Sequence, residues 1–392
     1  MWRIVAVDSV TRKVFYDLTN VATASWSSKL NGAGDVTVTV QVRDAITPVP
    51  VEVLHMLRRE QKHTTIIVGW VQSSGTTYAM ADAQIDDAQW NPFSGTLTLS
   101  GESVWSLMGE RMIYPVWARS AVTAIDDSMW LTNYPIESAV WWLINASIGG
   151  GQSIYRNSDN ALLYEPTGNP HRHLNFYANL VTTTQSQTWK FPFRERYALE
   201  ILNEYLSYEG APDVSILPRL VDDELYYLAT IGTDLSMWET ELVHEYADGF
   251  KSRLADLTIS KDGVKTLTSL VHVGGGSGKS MQSTTAVFQD IGNTVTGLTR
   301  ERITSAKQAD DAATLRRLAL AELRLYRDDV EQWSFNVQCD DDLVPTWFMP
   351  GVTIRLQYGG DELYPAKEHL FQLLGVSGST DSMKLSLEVQ GA

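Results

Sequence analysis

The chain has 392 residues, 44% hydrophobic and 20% charged, with a formal net charge of −16. That balance excludes a disordered chain, and the length exceeds the roughly 250 to 300 residues at which single cores stop growing, so two or more domains are expected. The acidic excess argues against ordinary nucleic-acid binding, which needs clustered Lys and Arg to neutralise phosphate, while an acidic surface lining a passage would let a polyanion slide without sticking.

In chain order, the first stretch reads as β-rich. Strands are expected near Trp2 to Val7, Lys13 to Asp17, Val36 to Val42, Thr65 to Val71 and Thr96 to Ser100. Val36, Val38, Val40 and Val42 alternate with Thr37, Thr39, Gln41 and Arg43, the period of a strand with one buried face. Asn31-Gly32-Ala33-Gly34 supplies turn chemistry directly before it. A short helix through Val104, Trp105, Leu107, Met108 and Met112 closes this unit, expected to span 1–112.

From 113 to 250 the pattern becomes mixed α/β. Pro135 and Glu137 open a helix whose face is Ile136, Val140, Leu143 and Ile144, and Gly149-Gly150-Gly151 stops it. Gln152 to Gln187 reads as a long loop or exposed insertion. A second helix is expected from Arg194 to Leu206, with strands at Asp213 to Leu217 and Leu225 to Ile231.

From 251 to 392 the chain returns to strands around Leu257 to Ile259 and Leu267 to Val273, then a helix over Ser305 to Arg327 with Leu315, Leu318, Ala319 and Leu323 on one stripe. The strand programme of the first stretch then repeats. Trp333, Phe335 and Val337 stand for the first strand, Phe371 to Ser379 for Ile66 to Gly75, and Leu385 to Gly391 for Leu97 to Gly101. Independently of any relative, two similarly built units in one chain let a threefold assembly imitate sixfold geometry. The overall class is α+β, mainly β.

Candidate chemistry is sparse. Gly278-Lys279-Ser280 ends like a phosphate-binding loop, but that pattern needs glycine where the chain has Val273, and no helix follows promptly; Gly274 to Ser280 reads as a flexible hairpin or inter-subunit loop. His171 and His173 could share one side of a strand but lack further spaced ligands, so they read as loop residues. Asp86-Asp87, Asp126-Asp127, Asp222-Asp223, Asp310-Asp311, Asp328-Asp329 and Asp340-Asp341-Asp342 could supply a glycosidase pair, yet they sit at expected turns and helix ends, where Asp caps. No nucleophile elbow or metalloprotease helix is present. The single Cys339 reads as a small core residue, with no disulfide, metal or redox framework. No catalytic, cofactor-binding or metal residues are expected, and no cofactor. The opening residues carry charge too early for a secretory leader, and no run approaches a membrane span, so assembly in a cytoplasm is expected. Thirteen Trp and sixteen Tyr suit small β cores and also interfaces.

Three segments in order carry a resemblance. Lys29-Leu30-Asn31-Gly32-Ala33-Gly34-Asp35-Val36-Thr37-Val38 resembles the turn and strand near the N-terminus of tail hub proteins of long-tailed siphophages, especially the minor tail proteins of phages of actinobacteria. Gly101-Glu102 to Leu107 with Arg111 is similar to the helix after the first barrel there, and Pro350-Gly351-Val352-Thr353-Ile354-Arg355-Leu356 to a late strand of the second. The resemblance implies two tail-tube-like β-barrels, 1–112 and 251–392, around a peripheral region 113–250. It implies a homotrimer forming a pseudo-six-fold ring at the tail tip of a virion, stacked on a distal tail protein and near the tape measure protein and other tip proteins, with DNA only passing through the lumen. The chain is expected to stop after the second barrel, leaving any lytic activity to another protein. From other classes come a carbohydrate-binding module with Trp and Tyr platforms and, further off, a glycoside hydrolase.

Overall fold

A computed structural model gives the structure for residues 1–43, 48–58, 63–111, 128–148, 154–156, 162–164, 176–180, 187–192, 196–207, 211–232, 242–245, 254–262, 267–274, 283–287, 300–305, 312–325, 330–340 and 343–391. The first part forms β1 (Trp2–Asp8), β2 (Val14–Asp17), β3 (Val21–Lys29), β4 (Asp35–Gln41), α1 (Val51–Leu57), β5 (Thr64–Val71), β6 (Thr77–Asn91) and β7 (Thr96–Glu102), followed by a 3-10 turn over Val104–Gly109. The middle carries β8 (Ser128–Tyr134), α2 (Ile136–Ser147), β9 (Ile154–Arg156), β10 (Leu162–Tyr164), β11 (Phe176–Leu180), β12 (Gln187–Pro192), α3 (Ala198–Leu206), β13 (Asp213–Val221) and β14 (Glu224–Gly232). The last part carries β15 (Leu242–Glu245), β16 (Leu254–Asp262), β17 (Ser269–Val273), β18 (Ser283–Val287), β19 (Glu301–Ser305), α4 (Ala312–Leu325), β20 (Val330–Gln338), β21 (Thr353–Tyr358), β22 (Lys367–Ser379) and β23 (Lys384–Gly391).

The protein is mainly β. Among the described residues the largest element is a 13-stranded sheet whose order runs β16-β20-β23-β22-β3-β4-β7-β6-β5-β1-β2, with β21 and β15 branching from β22. Both ends of the chain therefore share one sheet. One apolar cluster follows it, from Ile4, Trp26, Val38 and Leu99 through to Phe335, Leu356, Leu373 and Leu387. On the other side of β1 and β5, Val5, Val7 and Ile67 pack with Trp105, Met108, α2, α3 and the β13–β14 hairpin. Burial on alternate residues of β4 and β7 drives this: Val36, Val38, Val40, Leu97 and Leu99 are all buried.

The strand programme does repeat, with one correction. The path β3-β4-β7-β6-β5-β1 of the first part matches β16-β20-β23-β22-β21-β15 of the last, strand for strand. Register matches too. Thr65 pairs with Gln84 as Thr353 pairs with Gln372, and Ile85 pairs with Gly101 as Leu373 pairs with Val389. A bulge follows at the same place in each copy, between Ile85 and Asp87 and between Leu373 and Gly375. Val36 and Trp333 then occupy equivalent positions opposite Gly101 and Val389, and Trp26 and Ile259 equivalent positions opposite Val36 and Trp333. The partner of β22 is thus β6, not the Ile66 to Gly75 segment that sequence alone suggested; β5 corresponds to β21. One pairing differs in sense, since β1 lies antiparallel to β5 and β15 parallel to β21.

Among the described residues the strands form an open sheet, and no closed barrel is found. The outer edge of β3 bonds to β22 of the other copy, which joins the two copies edge to edge. Other boundaries shift. The helix expected from Ser305 begins at Ala312, because Glu301 to Ser305 is a strand parallel to β17. The helix expected from Arg194 starts at Ala198. Within the stretch read as loop, short strands lie at Ile154–Arg156, Leu162–Tyr164 and Phe176–Leu180.

Candidate assembly interface

The joint between the two copies is built from β22 and β3, antiparallel, with Gly375 opposite Lys29, Val376 opposite Ser28, Ser377 opposite Ser27, Gly378 opposite Trp26 and Ser379 opposite Ser25. Flanking backbone bonds extend it, Leu30 N–H to Leu374 O at 2.7 Å and Thr380 N–H to Ala24 O at 2.9 Å. Trp26 is only 2% exposed and lies under Gly378, where a Cβ would stand 3.2 Å from the indole and 2.9 Å from Leu385. A Cβ here would press on both side chains, so glycine suits that approach. Trp26 also meets Trp2, which in turn meets Trp70 edge-on, with ring centroids 5.6 and 5.2 Å apart. Trp2 Nε1 reaches Ser382 O of the β22–β23 hairpin at 3.4 Å, so β1 helps hold the second copy.

The opposite face of the joint is polar. An open cavity of about 490 Å³ lies over it, lined by Ser25, Ser27, Asp35, Asn336, Ser377 and Lys384 among others. The Ser27 hydroxyl donates to Asp35, and Lys384 and Asn336 both donate to Asp256, whose exposed carboxyl is held below its usual range chiefly by the Lys384 bond. Equivalent positions on this face carry similar chemistry in the two copies. Thr37 and Thr39 of β4 answer to Ser334 and Asn336 of β20, and Thr98 of β7 answers to Ser386 of β23.

Several polar contacts tie the middle of the chain to this frame, and two of them stand out. Asn31, in the left-handed region at φ 54°, donates from Nδ2 to Asp213 at 2.7 Å and accepts from Val214 N–H at 2.7 Å. Gln372 of β22 donates to the other Asp213 oxygen at 3.1 Å. The second contact is buried. Tyr227 donates its hydroxyl to Asp82 at 3.0 Å and Val104 N–H donates to the same oxygen at 3.1 Å. Burial raises the Asp82 carboxyl to about 6, against the pull of these donors, and pushes the Tyr227 phenol well above its ordinary value.

No protein-family model matches the chain, and no curated protein sequence matches it either. Solved structures do. The fold is that of a tail protein from Neisseria meningitidis MC58, at 12% identity and TM-score 0.58, over 99% of this chain and 96% of that one. A 43 kDa tail protein of prophage MuSo2 from Shewanella oneidensis is similar at 11% identity and TM-score 0.57, over 99% and 98%. A chain of the Francisella PdpA-VgrG complex aligns at 7% identity and TM-score 0.53; it covers all of this chain but only 52% of its own length is matched. At such identities the likeness is one of fold.

Of the acidic runs, the described residues Asp222, Asp223, Asp87 and Asp340 sit at turns, a bulge and a strand end. Asp222 and Asp223 form the β13–β14 turn, both at positive φ (51° and 58°), and Asp223 accepts from Arg3 at 3.3 Å. Asp87 sits at the β6 bulge and Asp340 accepts the Leu343 N–H at 2.8 Å. Asp126, Asp127, Asp310, Asp311, Asp328, Asp329, Asp341 and Asp342 lie outside the described residues, as do His171, His173 and Gly275 to Ser280. Gly274 directly follows β17. Among the described residues, no three His, Cys, Asp or Glu gather as a metal site, and no helix is long and apolar enough to cross a membrane. Cys339 is buried in the shared core, 2% exposed. Sequence reasoning missed Trp26, Asp82, Asp213 and Gly378. The signal for Trp26 was an indole amid Ser and Thr, which offers no apolar run to notice.

Proposed function

We propose that this protein is a structural, non-enzymatic hub of a siphophage tail tip, a homotrimer whose two sheet units per chain build a pseudo-six-fold ring at the distal end of the tail tube. The observation that carries this reading is the matched register of the two copies together with the β22–β3 joint that sets them side by side. A chain holding two equivalent units already joined edge to edge is half of the ring's repeat problem solved in cis. The fold likeness to phage tail proteins supports the same reading. Residues 1–112 and 251–392 then supply the ring, and 113–250 forms the peripheral part that meets neighbouring tip proteins.

The polar face bearing Thr37, Thr39, Thr98, Ser334, Asn336 and Ser386, with Asp35, Asp256 and Lys384 beside them, is assigned to the lumen, where hydroxyl and amide groups on a net-acidic chain let DNA pass without capture. The distal tail protein and the tape measure protein are the expected neighbours along the axis. Native mass spectrometry of the purified chain and imaging of labelled tails test the reading. A trimer and a ring of three at the tip are expected; a chain that stays monomeric in assembled tails, or a ring of another order, overturns it.

A further inference from the structure

The register of the duplication leaves one strand edge filled in the second copy and open in the first. In each copy the long strand, β6 or β22, pairs with its hairpin partner on one side along its second half, while its other side extends beyond the end of β5 or β21. In the last part of the chain that extra edge, Gly375 to Ser379, is filled by β3. In the first part the equivalent edge, Asp87 to Asn91, pairs with no other strand among the described residues, and β16, the equivalent of β3, is the terminal strand of the sheet.

The burial pattern agrees. Val376 and Trp26 are each 2% exposed at the filled joint, whereas their counterparts Ala88 and Ile259 are half-buried and Trp90, the counterpart of Gly378, is 37% exposed. A long edge ending in an exposed indole is a template for another strand. Joining it to β16 of a second copy is a heterologous contact, the kind that closes into rings.

We propose that β6 of one chain pairs antiparallel with β16 of the next in the register of the cis joint: Ala88 opposite Lys261, Gln89 opposite Ser260, Trp90 opposite Ile259 and Asn91 opposite Thr258. Trp90 and Ile259 then form the apolar centre, with bulk exchanged across the pair relative to Trp26 and Gly378. Asp87 opposite Asp262 is the one like-charged pair and falls at the strand end. The number of chains rests on the trimeric reading above; the edges and register do not.

The cis joint also says which pairs lie closest. Its backbone bonds at Leu30–Leu374 and Ala24–Thr380 make Ser27 and Ser377 a non-hydrogen-bonded pair, so Gln89 and Ser260 inherit a Cα separation of about 4.5 Å, within disulfide range. Full-length Gln89→Cys, Ser260→Cys protein, oxidised and run without reductant, should give a covalent species at three times the 43.7 kDa chain mass. Mixed single variants should give only dimers, and Gln89→Cys with Thr258→Cys, two positions out of register, should cross-link at least tenfold less. A native trimer with no Gln89–Ser260 cross-link overturns the edge pairing and leaves the trimer standing. Efficient cross-linking into closed species of another size leaves the pairing standing and removes the trimer. A monomer that never cross-links overturns both.

Discussion

Asn31 and Asp213 are hydrogen-bonded across 182 positions of chain, and through the second carboxylate oxygen Asp213 also holds Gln372. One side chain thus ties the turn before β4, the first residue of β13 and the long strand of the second copy. The turn itself depends on Asn31, because its left-handed backbone suits Asn far better than a β-branched or bulky residue. Asp213→Ala removes an acceptor shared by two amides, and the half-buried setting gives an expected cost of about 1 to 2 kcal/mol. In a double-mutant cycle by urea unfolding, Asn31→Ala and Asp213→Ala should couple by more than about 0.5 kcal/mol. Strict additivity would show that the contact does not hold the middle region to the frame.

Gly378 and Gly375 stand three residues apart on β22 and make opposite predictions. A methyl at Gly378 meets Leu385 at 2.9 Å and Trp26 at 3.2 Å, while one at Gly375 finds nothing nearer than 3.4 Å. Gly378→Val should lower stability by about 1 to 3 kcal/mol through overpacking, with a change in near-ultraviolet dichroism as the Trp2–Trp26–Trp70 cluster shifts. Gly375→Ala should leave the melting temperature within a few degrees of the parent. Equal sensitivity at both sites would argue against the joint as described.

Asp82, buried against Tyr227 and Val104, should give the stability of the protein a pH-dependent component. Its folded carboxyl sits near 6 and its unfolded one near 3.8, so the folded state binds the proton more tightly. The resulting stability is fully present below the unfolded value and is lost as pH rises through about 6, a swing of about 3 kcal/mol for a group buried to this degree. Asp82→Asn keeps a carbonyl oxygen for Tyr227 and Val104 and should flatten the pH dependence of urea unfolding between pH 4 and 7. A variant that retains the full slope would assign it to other groups.

Most strands that were legible in the sequence have one wet face; β5, buried along nearly its whole length, was legible instead from its β-branched run Thr64 to Val68. β4 and β7 alternate Val or Leu with Thr, and β20 alternates Trp, Phe and Val with polar residues, so period two survives. β6 was missed because Ala79 to Ile85 is buried on both faces, which erases alternation, and because small Ala residues give little apolar signal. β3 was missed for a related reason: its buried positions are Ala24, Trp26 and Ser28. These two strands, with β22 and β16, make the joint and its open counterpart. The duplication was therefore visible in outline, while the strand equivalence that gives it functional meaning required pairing partners, which no local pattern encodes.

Gly101 and Val389 occupy equivalent places opposite Ile85 and Leu373, yet they answer to opposite demands. At Gly101 a Cβ would fall 1.8 Å from Gln84 O and 2.7 Å from its carbonyl carbon, both backbone atoms that cannot swing away. Val389 in the second copy is 1% exposed and fills core. The first copy has drawn β7 tight against β6 just before the bulge that aims Asp87 to Asn91 outward. Gly101→Ala should force the strands apart there, at a cost of about 3 kcal/mol, and spoil the outward edge even where the chain still folds. Val389→Ala should cost about 1 to 3 kcal/mol through lost packing and leave that edge intact. Carried into the Gln89→Cys, Ser260→Cys background, Gly101→Ala should abolish the cross-link and Val389→Ala should preserve it; the reverse would place the assembly edge elsewhere.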